Sequence, residues 1–506
     1  MERLSPHTLV RLPAGVVCPG YDRTALKTGI VHLGLGAFAR AHLAAVNEAA
    51  LQASGDLCWG IAGVSLRSPD TRDALAPQRG LYTLALRDLD PTGAPRMALQ
   101  LIGCLRELLV APEDPAAVVA LIAHPDTRIV SLTVTEKGYC HDPASGALQT
   151  QHPDVQHDLA ALDRPRSALG FIVAGLRERQ RQGLAPVTLL SLDNLPANGQ
   201  LLRGLVLDFA ARVDGALADW IAARCSFPCS MVDRIVPRTT DEDRALVHAA
   251  LGAQDAWPVL GERFLDWVLE DAFVANRPAW ERSGARFVQE VQPFETLKLR
   301  MVNGTHSALA YLALLAGIET VDRALAQPAL RRYLGRLMHE EIEPTLPALA
   351  GLDVAAYRAR LLERFANPAL AHRTAQIAMD GSQKLPQRLL ATVRERLAAG
   401  APIGLLALAV AAWLQHLRGR DENGQGYAIH DPLADALAQQ QALADAAADT
   451  GGDPAQAARD WVQVFAGLAP VFGSDLQHNQ AFVHAVAAQL HALRGHGVVR
   501  TLETLE

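Results

Sequence analysis

The sequence predicts an α/β fold over residues 1–290 and a mostly α-helical domain over residues 291–506. Before residue 290, short β-branched runs alternate with helical stretches, and beyond Gly317 helix follows helix with no strand of quality. The third observation is local. An apolar run beginning at Gly29 ends in Gly34-Leu35-Gly36 and passes straight into an Ala-rich helical stretch. That is the opening strand, turn and helix of a dinucleotide-binding βαβ unit, so the first domain reads as Rossmann-like. Gly34 permits the tight turn, and Gly36 lets backbone N–H groups approach a pyrophosphate.

Bulk properties narrow the field. A chain of 506 residues is long for one core, so two domains are expected. Half of the residues are hydrophobic and 20% are charged, an ordinary globular composition. A net charge of −7 without a polybasic run predicts no nucleic-acid partner and no membrane surface. The first thirty residues lack the apolar run of a signal peptide, and no later stretch has the length of a membrane span, which predicts a cytoplasmic chain. Six dispersed cysteines make no disulfide framework. Cys225 and Cys229 stand four apart without a second Cys or His pair, so no metal is expected.

Taken in order, the second strand is expected at Cys58–Val64, followed by Arg67 and Asp70. Asp70 is the candidate for a ribose 2′-hydroxyl and Arg67 for a 2′-phosphate, so the residues leave NAD and NADP open. Leu81–Leu86, a polar turn around Asp90–Gly93, and Met97–Val110 suggest a hairpin-like insertion. A helix is expected near Pro115–Ala123, then a strand Arg128–Glu136 whose far end is Lys137-Gly138-Tyr139-Cys140. Another helix, Ser167–Gln182, leads to the strand Val187–Leu192, which ends in Asp193-Asn194 before a helix starting near Asn198. Strand ends of this kind line the ligand crevice of open α/β sheets. Asn194 alone serves equally well as a turn former. Asp233-Arg234 stands either as a local ion pair or as a ligand contact, and Trp257–Asp271 with Phe287–Val291 completes the domain.

Pro293–Gly317 reads as one helix, opened by proline and closed by glycine. Its second half is apolar on nearly every side, so it should run through protein. Its first half carries Lys298, Asn303 and His306, which at about 100° per residue fall within an arc of roughly 140°. A desolvated lysine loses its charged form and becomes a base. An amide N–H can hold a nascent alkoxide, and an imidazole can fix a second oxygen. The residues alone also allow Lys298 to reach solvent while Asn303 and His306 satisfy backbone groups. Further helices are expected at Val321–Ala326, Pro328–Glu341, Val354–Phe365, Leu385–Ala398 and Ile403–Gln415. A mobile loop is expected at Arg420–Gly426 and an Ala- and Gln-rich surface helix over Pro432–Trp461. The run Arg373–Arg388 is charge-dense enough to be an exposed helix end.

The order Lys298, Asn303, His306 within K-x-x-x-x-N-x-x-H resembles the polyol-specific long-chain dehydrogenases, the mannitol dehydrogenase family. Gly34, Gly36, Phe38, Arg40 and His42 match its Gly-x-Gly-x-Phe-x-Arg-x-His pattern, with Ala39 where relatives commonly have His. The resemblance spans residues of about 30 to 390. It implies an NAD-dependent oxidoreductase with Lys298 as acid/base, Asn194 and Asn303 as oxyanion donors and His306 positioning substrate. It further implies Asp233 and Lys384 on substrate, Glu295 as a proton relay, and Gly34, Gly36, Phe38 and Arg40 at the cofactor, beside the Asp70 that its place after the second strand suggests.

Within the family, mannitol-type enzymes generally have Gly-Gly-Tyr in place of Lys137-Gly138-Tyr139 and Arg in place of Gln376, while fructuronate reductases look like this chain at both. An added lysine is a sensible counter-charge for a sugar acid. The expected reaction is therefore D-fructuronate with D-mannonate, with Lys137 and Gln376 at the substrate. The runner-up is oxidation of mannitol or arabinitol. The expected partner is a small sugar acid or polyol, and the expected state a monomer or weak homo-oligomer.

Overall fold

The computed structural model describes residues 2–90, 94–142, 145–349, 352–448 and 453–505. The chain divides into two compact units, Met1–Gln292 and Pro293–Glu506.

In the first unit, an all-parallel sheet runs edge to edge as Leu105–Val110, Gly60–Ser65, Thr28–Leu33, Ile129–Leu132 and Thr188–Ser191. Alternation sorts its side chains into two cores. Val31, Leu33, Ala62, Val64, Val130 and Leu132 join one apolar cluster, while Ile30, Ile61, Ile129 and Leu190 join another. Burial on both faces explains why these strands read as continuous apolar runs. The strand order reverses beside Thr28–Leu33, so the crevice beyond Leu33 and Leu132 is the topological switch point. Flanking helices start where sequence places their caps. Asp114 accepts from Ala117 N–H ahead of Pro115–Ile122, and Ser167 accepts from Gly170 N–H ahead of Ala168–Arg181.

Several elements differ from expectation. Leu105–Val110 is an edge strand of the main sheet and not part of the hairpin, which comprises Tyr82–Leu89 and Pro95–Ile102; residues 91–93 of the expected turn lie outside the described residues. The β-branched run after Arg128 is a strand only over Ile129–Leu132, because Thr135 takes a left-handed φ of 62° and opens a short helix, Thr135–Gly138.

The second unit is helical among its described residues. Thr305–Leu315 and Gly404–His416 are buried on nearly every side within one large apolar cluster. The expected single helix over Pro293–Gly317 is three pieces. Gln292–Leu297 is α-helical, Lys298–Gly304 is π-helical, and Thr305–Leu315 resumes the α-helix before Gly317 closes it at φ +71°. Two further π stretches occur at Leu337–Ile342 and Pro386–Leu390. Hydrophobic spacing does not distinguish an α turn from one turn widened to an i→i+5 bond.

The Arg420–Gly426 loop, expected to be mobile, is tied. Asp421 accepts from the N–H groups of Asn423 and Gln425, and Glu422 accepts from Val498 N–H at 2.8 Å. The Pro432–Trp461 tract forms parts of two helices, Ala434–Ala448 and Pro454–Phe465, with residues 449–452 outside the described set. A last helix, Gln480–Glu503, was not among the expected elements and is broken at Gly497. No described helix is long and apolar enough to cross a membrane.

The π stretch of Lys298–Gly304 depends on close approach to that of Pro386–Leu390. A Cβ on Gly304 would lie 2.7 Å from the carbonyl oxygen of Arg388. Gly304→Ala should therefore lower the urea midpoint by the equivalent of about 1–3 kcal/mol, the usual cost of overpacking. Gly335→Ala, which meets nothing within 4 Å inside the Pro328–Arg336 helix, should leave the midpoint unchanged or raise it.

Candidate active site

The first unit supplies a cavity and a set of strand tips. A cavity of about 1000 Å³ opens at the carboxyl ends of the central strands, lined by Gly34, Gly36, Arg67, Thr133, Lys137 and Arg166 among others. Gly34 has φ +91°, and a Cβ there would sit 2.1 Å from Thr133 O, so only glycine fits between the two strand ends. Thr133 Oγ1 in turn donates to Gly34 O at 2.8 Å. A Cβ on Gly36 would meet only Gly34 O at 3.9 Å, which leaves room for a group as broad as a pyrophosphate. The cationic lining and the glycine turn suit a dinucleotide.

Of the residues expected at the cofactor, Gly34 and Gly36 line the cavity, whereas Phe38, Arg40 and Asp70 do not. Phe38 stacks on His42 with ring centroids 5.0 Å apart. Arg40 is buried, donates to Trp257 O at 2.6 Å and lies over the Tyr82 ring, and burial pushes its pKa down. Its placement braces the helix after the glycine turn. Asp70 is exposed and accepts from Ser68 Oγ, while Arg67 and Ser68 face the cavity.

The tips of neighbouring strands are pinned to each other. Asp193 accepts from Val134 N–H, Thr135 N–H and Tyr139 O–H, each at 2.9 Å. Burial raises the Asp193 pKa, and these donors oppose the rise. Asn198 donates to the carbonyls of Ser191, Asp193 and Ser230 and accepts from Ser230 N–H. Asn194, exposed, sits on the bend these two residues hold. Asp233 ends the strand Ser230–Asp233 at 8% exposure. Its neighbour Arg234 donates to the carbonyls of Glu262 and Ala41, and burial brings its pKa down to about 10. Lys137 is exposed beside the glycine turn in the cavity wall. Neither Asp193 nor Asn198 was expected to act structurally, although their position just past a strand end was the available signal.

The second unit gathers the polar face of the widened helix. Glu295, Lys298 and Asn303 are buried at 9%, 7% and 9% exposure. An i→i+5 turn stacks Asn303 one turn above Lys298, closer to alignment than an α-helix would bring two residues five apart. Asn303 Nδ2 and His306 Nε2 are buried without a hydrogen-bond partner among the described residues. Two orphaned polar atoms side by side on one helix invite a ligand. His306 stacks on Phe365 with centroids 4.6 Å apart, and His372 meets it edge-on at 5.2 Å. Desolvation, then the neighbouring His372 and the cations Arg388, Arg364 and Lys384, hold the His306 pKa well below its ordinary value, so the ring is neutral.

Lys384, half-buried, donates to Ile377 O at 3.3 Å and to Met379 O, and its ammonium weighs on both His306 and His372. Gln376 is exposed on the Thr374–Ala378 helix. The contributions of Phe365 and His372 went unread in the sequence, though His372 directly precedes the charge-dense run that begins at Arg373.

Comparison with known proteins bears on both units. Residues 28–282 match the family model described as the mannitol dehydrogenase Rossmann domain, and residues 290–494 match the mannitol dehydrogenase C-terminal domain. The D-mannonate oxidoreductase of Escherichia coli is 43% identical over 490 residues, covering 96% of this chain and 97% of that protein. A mannitol 2-dehydrogenase of Phaeosphaeria nodorum is 39% identical, covering 96% of this chain and 83% of its own length. The solved structure of Pseudomonas fluorescens mannitol 2-dehydrogenase, a ternary complex with NAD and D-mannitol, superposes with a TM-score of 0.88 at 38% identity and 99% coverage of each chain. With each half matched and identity sustained along nearly its whole length, the chain belongs to the mannitol dehydrogenase family, oxidoreductases that act on CH–OH groups.

Proposed function

We propose that the protein is an NAD-dependent oxidoreductase that interconverts D-fructuronate and D-mannonate. The observation that carries the reading is the buried Lys298, Asn303 and His306 face, where the cations Arg388, Arg364 and Lys384 weigh on His306. A desolvated face beside several cations favours an anionic sugar over a neutral one. The 43% identity to a D-mannonate oxidoreductase supports the same choice. The 39% identity to a mannitol 2-dehydrogenase keeps oxidation of a neutral polyol as the second reading.

Gly34, Gly36 and the cavity wall would hold NAD, whose nicotinamide would supply the hydride acceptor. Lys298 Nζ takes the proton from the C5 hydroxyl of the hexonate during oxidation and returns it during reduction. The unpaired Nδ2 of Asn303 donates to the oxygen on which charge develops, and Asn194 serves as the second donor. His306, neutral and fixed against Phe365, orients a neighbouring oxygen. Glu295, three residues before Lys298 on the same helix, passes the proton toward solvent. Asp233, Lys384 and Gln376 contact the remaining substrate groups.

A panel of D-fructuronate, D-tagaturonate, D-fructose and D-xylulose, each followed by NADH oxidation, tests the reading. D-Fructuronate is expected to give the highest kcat/KM. A higher value for D-fructose or D-xylulose would transfer the protein to the polyol branch. Turnover of sugar without change in nicotinamide absorbance would make it an isomerase. NADH binding with every sugar untouched would make it a sensor.

Lys137 is proposed as a counter-charge for the carboxylate. Lys137→Gly is expected to raise KM for D-fructuronate about tenfold, the size of one lost charge-assisted bond, and to leave KM for D-fructose unchanged. An equal rise for both sugars, or a rise in KM for NADH alone, would assign Lys137 to the cofactor wall.

A further inference from the structure

His372 carries a second imidazole, beside His306, with a buried nitrogen that has no partner among the described residues. His32, for comparison, is buried with Nδ1 bonded to Ser131 and Nε2 bonded to Thr133. His372 instead keeps Nδ1 buried without a partner among the described residues, and the neighbouring His306 keeps Nε2 in the same condition. The two rings meet edge-on at 5.2 Å, so both orphan nitrogens belong to one side-chain cluster. Leaving two such atoms dry costs free energy that a bound ligand recovers.

The surroundings specify the ligand's charge. Desolvation and then Lys384 push the His372 pKa down to about 4, so at neutral pH the ring is an uncharged donor. After desolvation, the cations that weigh on His306 include Arg388, Arg364 and Lys384, and Asp380 lies 4.0 Å from the Lys384 ammonium. Arg388 donates to Ser307 Oγ at 3.2 Å, which fixes its guanidinium on the helix that bears His306. Neutral N–H donors within a positive field recognise a carboxylate better than a hydroxyl, because only the anion gains from the field as well as from the hydrogen bond.

We infer that His372 is a substrate-binding residue whose Nδ1–H receives the carboxylate of an anionic sugar, beside His306 and within the field of Lys384 and Arg388. This rests on the sugar-acid reading above.

The test compares wild-type protein with His372→Phe, which keeps an aromatic ring against His306, and His372→Asn, which keeps a short N–H donor. D-Mannonate and D-mannitol are titrated calorimetrically into each NADH-loaded protein, in which no hydride transfer can follow, and D-fructuronate and D-fructose are used as substrates with NADH. His372→Phe is expected to weaken D-mannonate binding and raise KM for D-fructuronate at least about tenfold, the scale of one charge-assisted hydrogen bond. The loss should be at least about fivefold larger for D-mannonate and D-fructuronate than for D-mannitol and D-fructose, and His372→Asn should recover most of it. Equal effects on acid and neutral sugars, no effect on either, or wild-type protein that does not bind D-mannonate would overturn the inference. Wild-type protein that binds D-mannonate through His372 but fails to reduce D-fructuronate would sink the sugar-acid reading while leaving the anion site standing.

Discussion

One widened helical turn sets the terms for the second unit. Between Lys298 and Gly304 the backbone changes from i→i+4 to i→i+5 bonding, and the change stacks a lysine and an amide on one side of a helix otherwise enclosed by Leu, Ala and Met. A side chain such as Lys298, at 7% exposure, would ordinarily escape to water along its four-carbon stem. Here the helix continues into Thr305–Leu315, buried on nearly every side, so the polar groups are held where the core decides and not where hydration would take them. The second π stretch at Pro386–Leu390 lies so close that Gly304 has no room for a Cβ. Rigidity and desolvation thus come from the same packing.

The first unit solves a different problem, that of holding loops still at the ends of short strands. Four-residue strands such as Ile129–Leu132 and Thr188–Ser191 fix little beyond themselves. Asp193 and Asn198 extend the order outward by turning loop N–H and C=O groups into hydrogen-bond partners. Asp193 accepts this burial at the expense of a raised pKa, which its three donors oppose. The positive φ at Gly34 and the near-contact with Thr133 O close the same crevice from the neighbouring strand.

What was legible in the sequence followed from local chemistry. The glycine turn could be read because tight backbone approach demands glycine whatever surrounds it, and the capped helices because Asp114-Pro115 and Ser167 are local signals. Lys298, Asn303 and His306 stood out because polar residues interrupt an apolar run. The π turn could not be read, since apolar spacing is nearly the same in either helix. Leu105–Val110 was misplaced because a parallel edge strand is defined by its partner Gly60–Ser65, far away in sequence. His372 escaped for the same reason: its meaning depends on the ring of His306, 66 residues earlier, and on burial that only the folded unit supplies. At Arg40 a motif position suggests a ligand contact, and in the folded chain the guanidinium bonds Trp257 O and lies over the Tyr82 ring, partners distant in sequence.

The central proposal is that the Lys298 amine on the widened turn moves the proton. Chemical rescue tests it most directly. With Lys298→Ala, hexonate oxidation should fall by about 10²–10⁴, the usual worth of a positioned general base, while NADH binding measured by fluorescence persists. Added methylamine should then restore rate in proportion to its unprotonated form. A variant that retains most of the wild-type rate, or whose residual rate ignores free amine although nucleotide and sugar still bind, would contradict the account.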